Sequence, residues 1–100
     1  MANYDRLEIY ARDGFRCCYC GFDGGTFDTW KFLEIDHINP KGPNESSNVV
    51  TSCHYCNGCK GNDPCETLEQ GREIVSRHNQ TNFKYWQDKV LPIMLKDRSH

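Results

Sequence analysis

Two pairs of cysteines with the same internal spacing constrain the fold of this chain more than any other feature. Each pair follows the pattern C-x2-C, and a long insertion separates them; the pairs are Cys17 with Cys20 and Cys53 with Cys56. A tight turn of this kind points two thiolates at one ion, and four thiolates complete the tetrahedral shell that zinc prefers. The spacing therefore predicts one structural zinc site, with no coordination position left for substrate or water.

The competing interpretation of the seven cysteines is a disulfide framework. The count is odd, however, and the first residues, MANYDRLEIY, lack the apolar core of a signal peptide. Because reducing compartments disfavour disulfides, we expect a cytoplasmic protein with metal-bound cysteines. Cys18, Cys59 and Cys65 do not fit the register of the two pairs, and we expect them to be free thiols.

Length and composition describe one small domain spanning residues 1–100. A chain of this size buries a limited share of its surface, so a metal ion that ties it together is useful. The 37% hydrophobic and 26% charged residues are typical of a folded chain with a modest core. No stretch approaches the roughly 20 apolar residues that cross a bilayer, so we expect no membrane partner. The net charge of -2 argues against a purely electrostatic grip on nucleic acid.

The order of helix and strand signals predicts an α+β fold. We expect a motif core over residues 12–62 and a helical extension over 65–97, with Gly71 interrupting the first helix of the extension and Pro92 bending the second. Phe83 and Trp86 have helical spacing and are expected to pack in the core rather than stack on bases. The predicted elements are a helix over 4–13, strands over 30–38 and 48–51, a short helix after the second cysteine pair, and helices ending near 79 and spanning 82–96.

The first predicted strand ends in LEIDHINPKG, which places Asp36 and His37 side by side. Taken alone, such a pair is often just two polar residues where a strand meets solvent. If the two strands fold back on each other and the second cysteine pair opens a helix, Asn57 comes to the same place. Carboxylate and amide oxygens suit Mg²⁺, and a histidine can accept a proton near neutral pH. The pattern therefore favours hydrolysis of a phosphodiester.

Four segments in order, RDGFRCCYCG, LEIDHINP, NVVTSCHYCN and NGCKG, closely resemble the HNH endonucleases with a zinc-bound ββα-metal core. The resemblance covers residues 12–62. It implies two antiparallel strands and a helix, held by zinc and flanked by helices at both ends. It also implies a metal-dependent DNA endonuclease that uses Mg²⁺ or Mn²⁺ as its catalytic ion, in a bacterial or phage-encoded protein.

The resemblance further implies a role for each matching residue. His37 matches the general base, and Asp36 before it matches the metal ligand. Asn48 matches the middle asparagine, which holds the loop and thereby orients the histidine. Asn57 stands where the family often has histidine and would bind the same ion. Lys60 stands where the family often has a basic residue near the phosphate backbone.

The roles of two neighbouring residues stay open, and so does one alternative function. His54 lies between the second pair of cysteines and is expected to point away from the catalytic ion. Glu34 lies on the same side of the strand as Asp36 and could support the metal site. The rival function is a catalytically inactive, zinc-stabilised module that binds nucleic acid or protein. Because the chain is acidic, affinity for DNA would depend on the metal, on a homodimer or on a partner protein.

Overall fold

Residues 3–98 are described by a computed structural model, and two antiparallel strands lie at its centre. This arrangement confirms the predicted α+β class. None of the described helices is long and apolar enough to span a bilayer. In chain order the elements are α1 (Arg6–Arg12), α2 (Phe27–Trp30), β1 (Leu33–His37), a 3₁₀ turn (Ser46–Asn48), β2 (Val49–Cys53), α3 (His54–Lys60), α4 (Leu68–Tyr85), a π-helical segment (Trp86–Val90) and α5 (Leu91–Arg98).

The pairing of β1 with β2 carries the Asp-His pair into the centre of the molecule. Asp36 lies opposite Val50 and His37 opposite Val49. Every residue of β2 is buried. At the other end of β1, the buried hydroxyl of Tyr10 donates to the carbonyl of Leu33 over 3.0 Å. The strand is therefore anchored at its start by α1 and paired along its length with a buried partner.

The C-terminal end of α1 is tied to β2 by polar contacts. The guanidinium of Arg12 donates to the carbonyl of Val49 over 2.7 Å, and a carboxylate oxygen of Asp13 accepts the N–H of Thr51 over 2.8 Å. Burial would raise the pKa of Asp13, but the bonds from Arg12 and Thr51 outweigh it, so the pKa is lowered. An ionised Asp13 therefore holds the helix against the sheet.

The first strand begins later than its sequence pattern predicts. Trp30 was expected inside the strand, but it ends the short helix α2. Thr26 and Thr29 form a capping box at the start of that helix, each side chain bonding to the backbone of the other. This local cap stabilises a helical turn against the strand propensity of the aromatic and branched residues that follow. The strand β1 therefore begins only at Leu33.

The two C-terminal helices were predicted to be separate, and that prediction is wrong. Helix α4 continues through residues 79–82 and runs into the π-helical segment and α5 without an intervening loop. Proline has no N–H to donate, and the π-helical turn that ends at Val90, two residues before Pro92, accommodates that loss within a continuous helix. Gly71 likewise lies inside α4 and does not interrupt it.

The expected packing of Phe83 and Trp86 in the core is also wrong. The Phe83 side chain is 57% exposed, and its ring lies against the ring of Trp86 with 5.7 Å between centroids. Buried residues of α4 are confined to its first half, at Gly71, Ile74 and Val75. The second half of α4 with α5 forms a helical arm, residues 76–98, that leaves the core.

Candidate metal and catalytic site

The sulfur atoms of the two C-x2-C pairs come together as the spacing predicts. All four lie within 4.8 Å of one another and form the cysteine cluster, which consists of Cys17, Cys20, Cys53 and Cys56. Zinc with four sulfurs at about 2.3 Å in a tetrahedron separates the sulfurs by about 3.8 Å. The Sγ atoms of Cys20 and Cys53 are 3.8 Å apart. Donor type, donor number and spacing therefore fit a zinc ion.

Two different local structures present these thiols. In the first, the chain turns back at Gly21, whose φ of 82° favours glycine, and the N–H of Gly21 donates to the carbonyl of Cys17 over 2.9 Å. In the second, Cys53 is the N-cap of α3, and its Sγ accepts the N–H of Cys56 at 3.4 Å. A turn and a helix start thus direct both pairs at the same point.

The thiols compete for protons when they stand this close. A hydrogen bond from Cys56 lowers the pKa of Cys17 to about 4, and the same contact raises the pKa of Cys56. Burial raises the pKa of Cys20 to about 11. Four thiolates cannot share this volume without a cation, because each negative charge disfavours the next. Metal binding would release these protons and couple the site to folding.

Asp36 is buried at the end of β1, and two donors contact the same carboxylate oxygen. Its Oδ2 accepts the hydroxyl of Tyr19 at 2.5 Å and lies 3.2 Å from the ammonium of Lys60. Lys60 also donates to the carbonyl of His37 over 2.7 Å, and its side chain is completely buried. Lys60 therefore faces the Asp-His pair and not a surface where a phosphate backbone would lie, in contrast to the sequence-based expectation.

The histidine ring is oriented by a residue that the sequence did not single out. The Nε2 atom of His37 lies 2.8 Å from Oδ1 of Asn44. Because an amide oxygen only accepts, Nε2 carries the proton and Nδ1 is the ring nitrogen able to accept one. The one cue in the sequence was the place of Asn44 in the loop after the histidine.

Asn48 holds that loop closed. Its amide nitrogen donates to the carbonyls of Asn39 and Pro43, and its Oδ1 accepts the N–H of Asn39, each bond being 3.0 Å long. A Cβ at Gly42 would lie 2.8 Å from the Asn48 amide nitrogen, so only glycine allows this approach. The loop from β1 to β2 is thereby packed around the buried side chain of Asn48. Asn44 directly follows Pro43, whose carbonyl Asn48 binds.

Asn57 on α3 is held by Glu34 on β1. The Nδ2 atom of Asn57 donates to one oxygen of Glu34, and the other oxygen contacts Nδ1 of His54, both at 2.5 Å. Burial would raise the pKa of Glu34, but the bonds from Asn57 and then His54 outweigh it and lower the pKa. An ionised Glu34 therefore accepts a hydrogen bond from the amide nitrogen of Asn57. The amide oxygen of Asn57 takes no part in this contact. His54 faces Glu34 and is exposed.

Asp36, His37 and Asn57 line one polar cleft of about 340 Å³ where the end of β1, the following loop and α3 meet. Its walls include Asp36, His37, Pro40, Gly42, Asn57 and Asn62. A larger depression of about 510 Å³ around Phe15, Phe27 and Trp30 has no titratable group in its walls. The larger depression therefore offers no acid or base, whereas the smaller cleft contains the Asp-His pair.

Comparison with known proteins agrees with this geometry. Residues 17–63 match the family model described as HNH endonuclease. This segment is similar to the HNH endonucleases. It contains both cysteine pairs, both strands and α3, so the family match and the polar cleft coincide.

Two curated proteins are similar to parts of the chain. The CRISPR-associated endonuclease Cas9 of Corynebacterium diphtheriae is 36% identical over 63 residues, which is 59% of this chain and 5% of that protein. The Type 4 apparatus protein DotN of Legionella pneumophila is 35% identical over 52 residues, which is 52% of this chain and 22% of that protein. The chain thus matches only a small part of either relative. No solved structure matches the chain at a significant level.

Proposed function

We propose that this HNH region is a metal-dependent endonuclease that hydrolyses phosphodiester bonds of DNA. The observation that carries the proposal is the cleft that brings a buried carboxylate, a histidine with one ring nitrogen tied to Asn44, and an asparagine amide together beside the cysteine cluster. The HNH family match supports the same reaction class.

Asp36 and Asn57 are the residues that would hold the catalytic ion. Both contacts to the Asp36 carboxylate are to Oδ2, which leaves Oδ1 for a cation, and the Asn57 amide is held by its nitrogen. Two oxygen donors in a polar cleft fit Mg²⁺ or Mn²⁺, since Mg²⁺ is commonly held by few protein oxygens and keeps several waters. A bound divalent ion would stabilise negative charge on the phosphoryl and leaving oxygens.

His37 is the proposed general base. Its Nδ1 accepts a proton from water as the water oxygen adds to phosphorus, and the bond from phosphorus to the leaving oxygen breaks. The leaving oxygen takes its proton from solvent. Asn44 keeps the ring in the tautomer with Nδ1 unprotonated, and Asn48 holds the loop that carries Asn44.

The remaining parts of the proposal concern the setting of the site. Zinc at the four cysteines would be structural, because four thiolates leave no position for substrate. Residues 1–100 would act as one domain. A cytoplasmic location suits zinc thiolates, which need a reducing compartment. Contact of the site with DNA would rest on the bound ion, because the net charge of the chain is -2.

Nicking of supercoiled plasmid tests this proposal. Purified protein with Mg²⁺ or Mn²⁺ should convert supercoiled DNA to open circles, EDTA should stop the reaction, and His37→Ala should slow it by about 10² to 10⁴-fold. His78→Ala is the matched control, since His78 is an exposed histidine of α4 paired with Asp63. Zinc-loaded, folded wild type that leaves the plasmid intact with every divalent ion would contradict the proposal.

The second candidate function is a zinc-stabilised interaction module without catalysis. Two observations favour it: one relative is named as an apparatus protein, and the helical arm exposes apolar side chains, including Tyr85, Ile93 and Leu95. The same assay separates the two functions. An inactive module would bind DNA or a protein in a fluorescence anisotropy titration and show no nicking under the same conditions.

A further inference from the structure

Tyr19 lies at the junction between the cysteine cluster and the polar cleft. It stands inside the first C-x2-C turn, and its backbone N–H is 3.4 Å from Sγ of Cys17. Its hydroxyl donates to Oδ2 of Asp36 at 2.5 Å. One residue therefore contacts a proposed zinc ligand through its backbone and a proposed ligand of the catalytic ion through its side chain.

The hydroxyl of Tyr19 is the donor in this contact, because a carboxylate oxygen only accepts. Burial raises its pKa, and the hydrogen bond to Asp36 raises it further. Because the phenol does not ionise, it brings no second negative charge against Asp36. The contact therefore works as a fixed hydrogen bond to Oδ2 of Asp36.

Helix α4 holds the ring of Tyr19 in place. A Cβ at Gly71 would lie 2.7 Å from Cε1 of the tyrosine, so the ring occupies the space where another residue would have a side chain. The next residue, Arg72, donates to the carbonyl of Cys18 over 2.8 Å. The first cysteine turn is thus clamped against α4 at two adjacent positions.

Asp36 is held by donors from two separate parts of the chain. Lys60 approaches Oδ2 from α3, and Tyr19 approaches the same atom from the cysteine turn. A single donor would leave the carboxylate free to rotate about it, whereas two donors on Oδ2 restrict that rotation and leave Oδ1 available to a cation.

We propose that Tyr19 is a positioning residue for phosphodiester hydrolysis, which sets the orientation of the Asp36 carboxylate and ties it to the zinc-binding turn. This inference deepens the proposed function and rests on it. Partners of metal-binding side chains commonly change metal affinity by about 10 to 100-fold when they are lost. The same order of effect is expected here.

Tyr19→Phe tests the proposal, with Tyr10→Phe as the matched control. Both variants lose one hydroxyl that bonds to β1, but Tyr10 bonds to Leu33 at the opposite end of the strand. The readouts are zinc content by elemental analysis and Mn²⁺ binding by electron paramagnetic resonance, without DNA. We expect Tyr19→Phe to keep one zinc and bind Mn²⁺ about tenfold more weakly, and Tyr10→Phe to bind it as wild type does.

A second variant, Gly71→Ala, retains the hydroxyl but places a methyl group against the ring. Weaker Mn²⁺ binding with zinc retained supports the proposal. Wild-type Mn²⁺ affinity in Tyr19→Phe, or an equal loss in Tyr10→Phe, overturns it. If either of these two results is found and wild type nicks plasmid, only the proposed role of Tyr19 is contradicted. If wild type neither binds Mn²⁺ nor nicks plasmid, the proposed function fails together with it.

Discussion

The burial of Lys60 indicates a different role from the one that its position in the sequence suggests. A lysine that follows a metal-binding motif suggests a contact with phosphate, and most lysines are at the surface. In the structure its ammonium is buried against Asp36 and the carbonyl of His37. A buried charge must be paired, and loss of one partner of such a pair typically costs about 3–5 kcal/mol. Lys60 thus belongs to the interior of the site, as the positive counterpart of Asp36.

Asn44 provides a prediction at the same scale. Asn44→Ala removes the acceptor that holds Nε2 of His37, so the ring loses its preferred tautomer and orientation. We expect plasmid nicking to slow by about tenfold, less than the roughly 10² to 10⁴-fold expected when the base itself is removed. The midpoint of thermal unfolding should hardly change, because Asn44 is exposed.

Lys41→Ala, in the same loop and equally exposed, is the control and should cut as wild type does. Equal rates for Asn44→Ala and wild type would show that the His37–Asn44 contact does not orient the base.

Helix α4 shows how an element can depend on a neighbour that its own sequence does not reveal. Glycine in a helix interior is unfavourable, which is why Gly71 was expected to interrupt the helix. The helix continues because the space at Gly71 is filled by the ring of Tyr19, and the buried half of α4 packs on the cysteine turn. Packing between two elements far apart in sequence outweighs the local propensity.

Replacing Gly71 with alanine should therefore destabilise the protein, although a change from glycine to alanine in a helix usually stabilises it. In an unobstructed helix, alanine in place of glycine stabilises by roughly 1 kcal/mol. At Gly71 the added Cβ meets Tyr19, so we expect a lower midpoint of thermal unfolding. Gly58→Ala in α3 is the control, because a Cβ there has nothing within 4 Å, and it should raise the midpoint or leave it unchanged. A raised midpoint for Gly71→Ala would contradict the packing explanation.

The cysteine cluster joins the end of β2 to α3 and to the buried half of α4. Cys53 ends β2 and caps α3, and Cys17 packs with Val75 of α4 in the same buried cluster. The chain has a small sheet of two strands, which alone is marginally stable. A structural zinc ion contributes about 10–16 kcal/mol in small peptides, more than the net stability of many domains. The cleft should therefore exist only when the cluster holds its metal.

Elemental analysis should find about one zinc per chain in wild type, and Cys53→Ala should lose it and unfold at a much lower temperature. Cys18→Ala is the control, since Cys18 stands outside the C-x2-C register and its contacts with Thr51 and Arg72 are through its backbone. Full zinc content and unchanged stability in Cys53→Ala would refute the ligand set.

Features that depend on residues close together in the chain can be predicted from the sequence alone. Two C-x2-C turns predict one metal site, and a period-two run that ends in Asp-His between them predicts a polar strand end, because both depend on residues close in the chain. The two antiparallel strands and the meeting of four cysteines were confirmed in this way.

Contacts between side chains of different elements could be known only from the folded chain. The bond from Tyr19 to Asp36, the burial of Lys60 against Asp36 and the packing of Gly71 on Tyr19 join residues 17 to 52 positions apart. Nothing local in the sequence distinguishes such a tyrosine, lysine or glycine from an ordinary one, because their roles arise from packing in three dimensions. The exposure of Phe83 in the helical arm has the same reason: helical spacing predicts an apolar face, and only the folded chain decides whether that face has a partner.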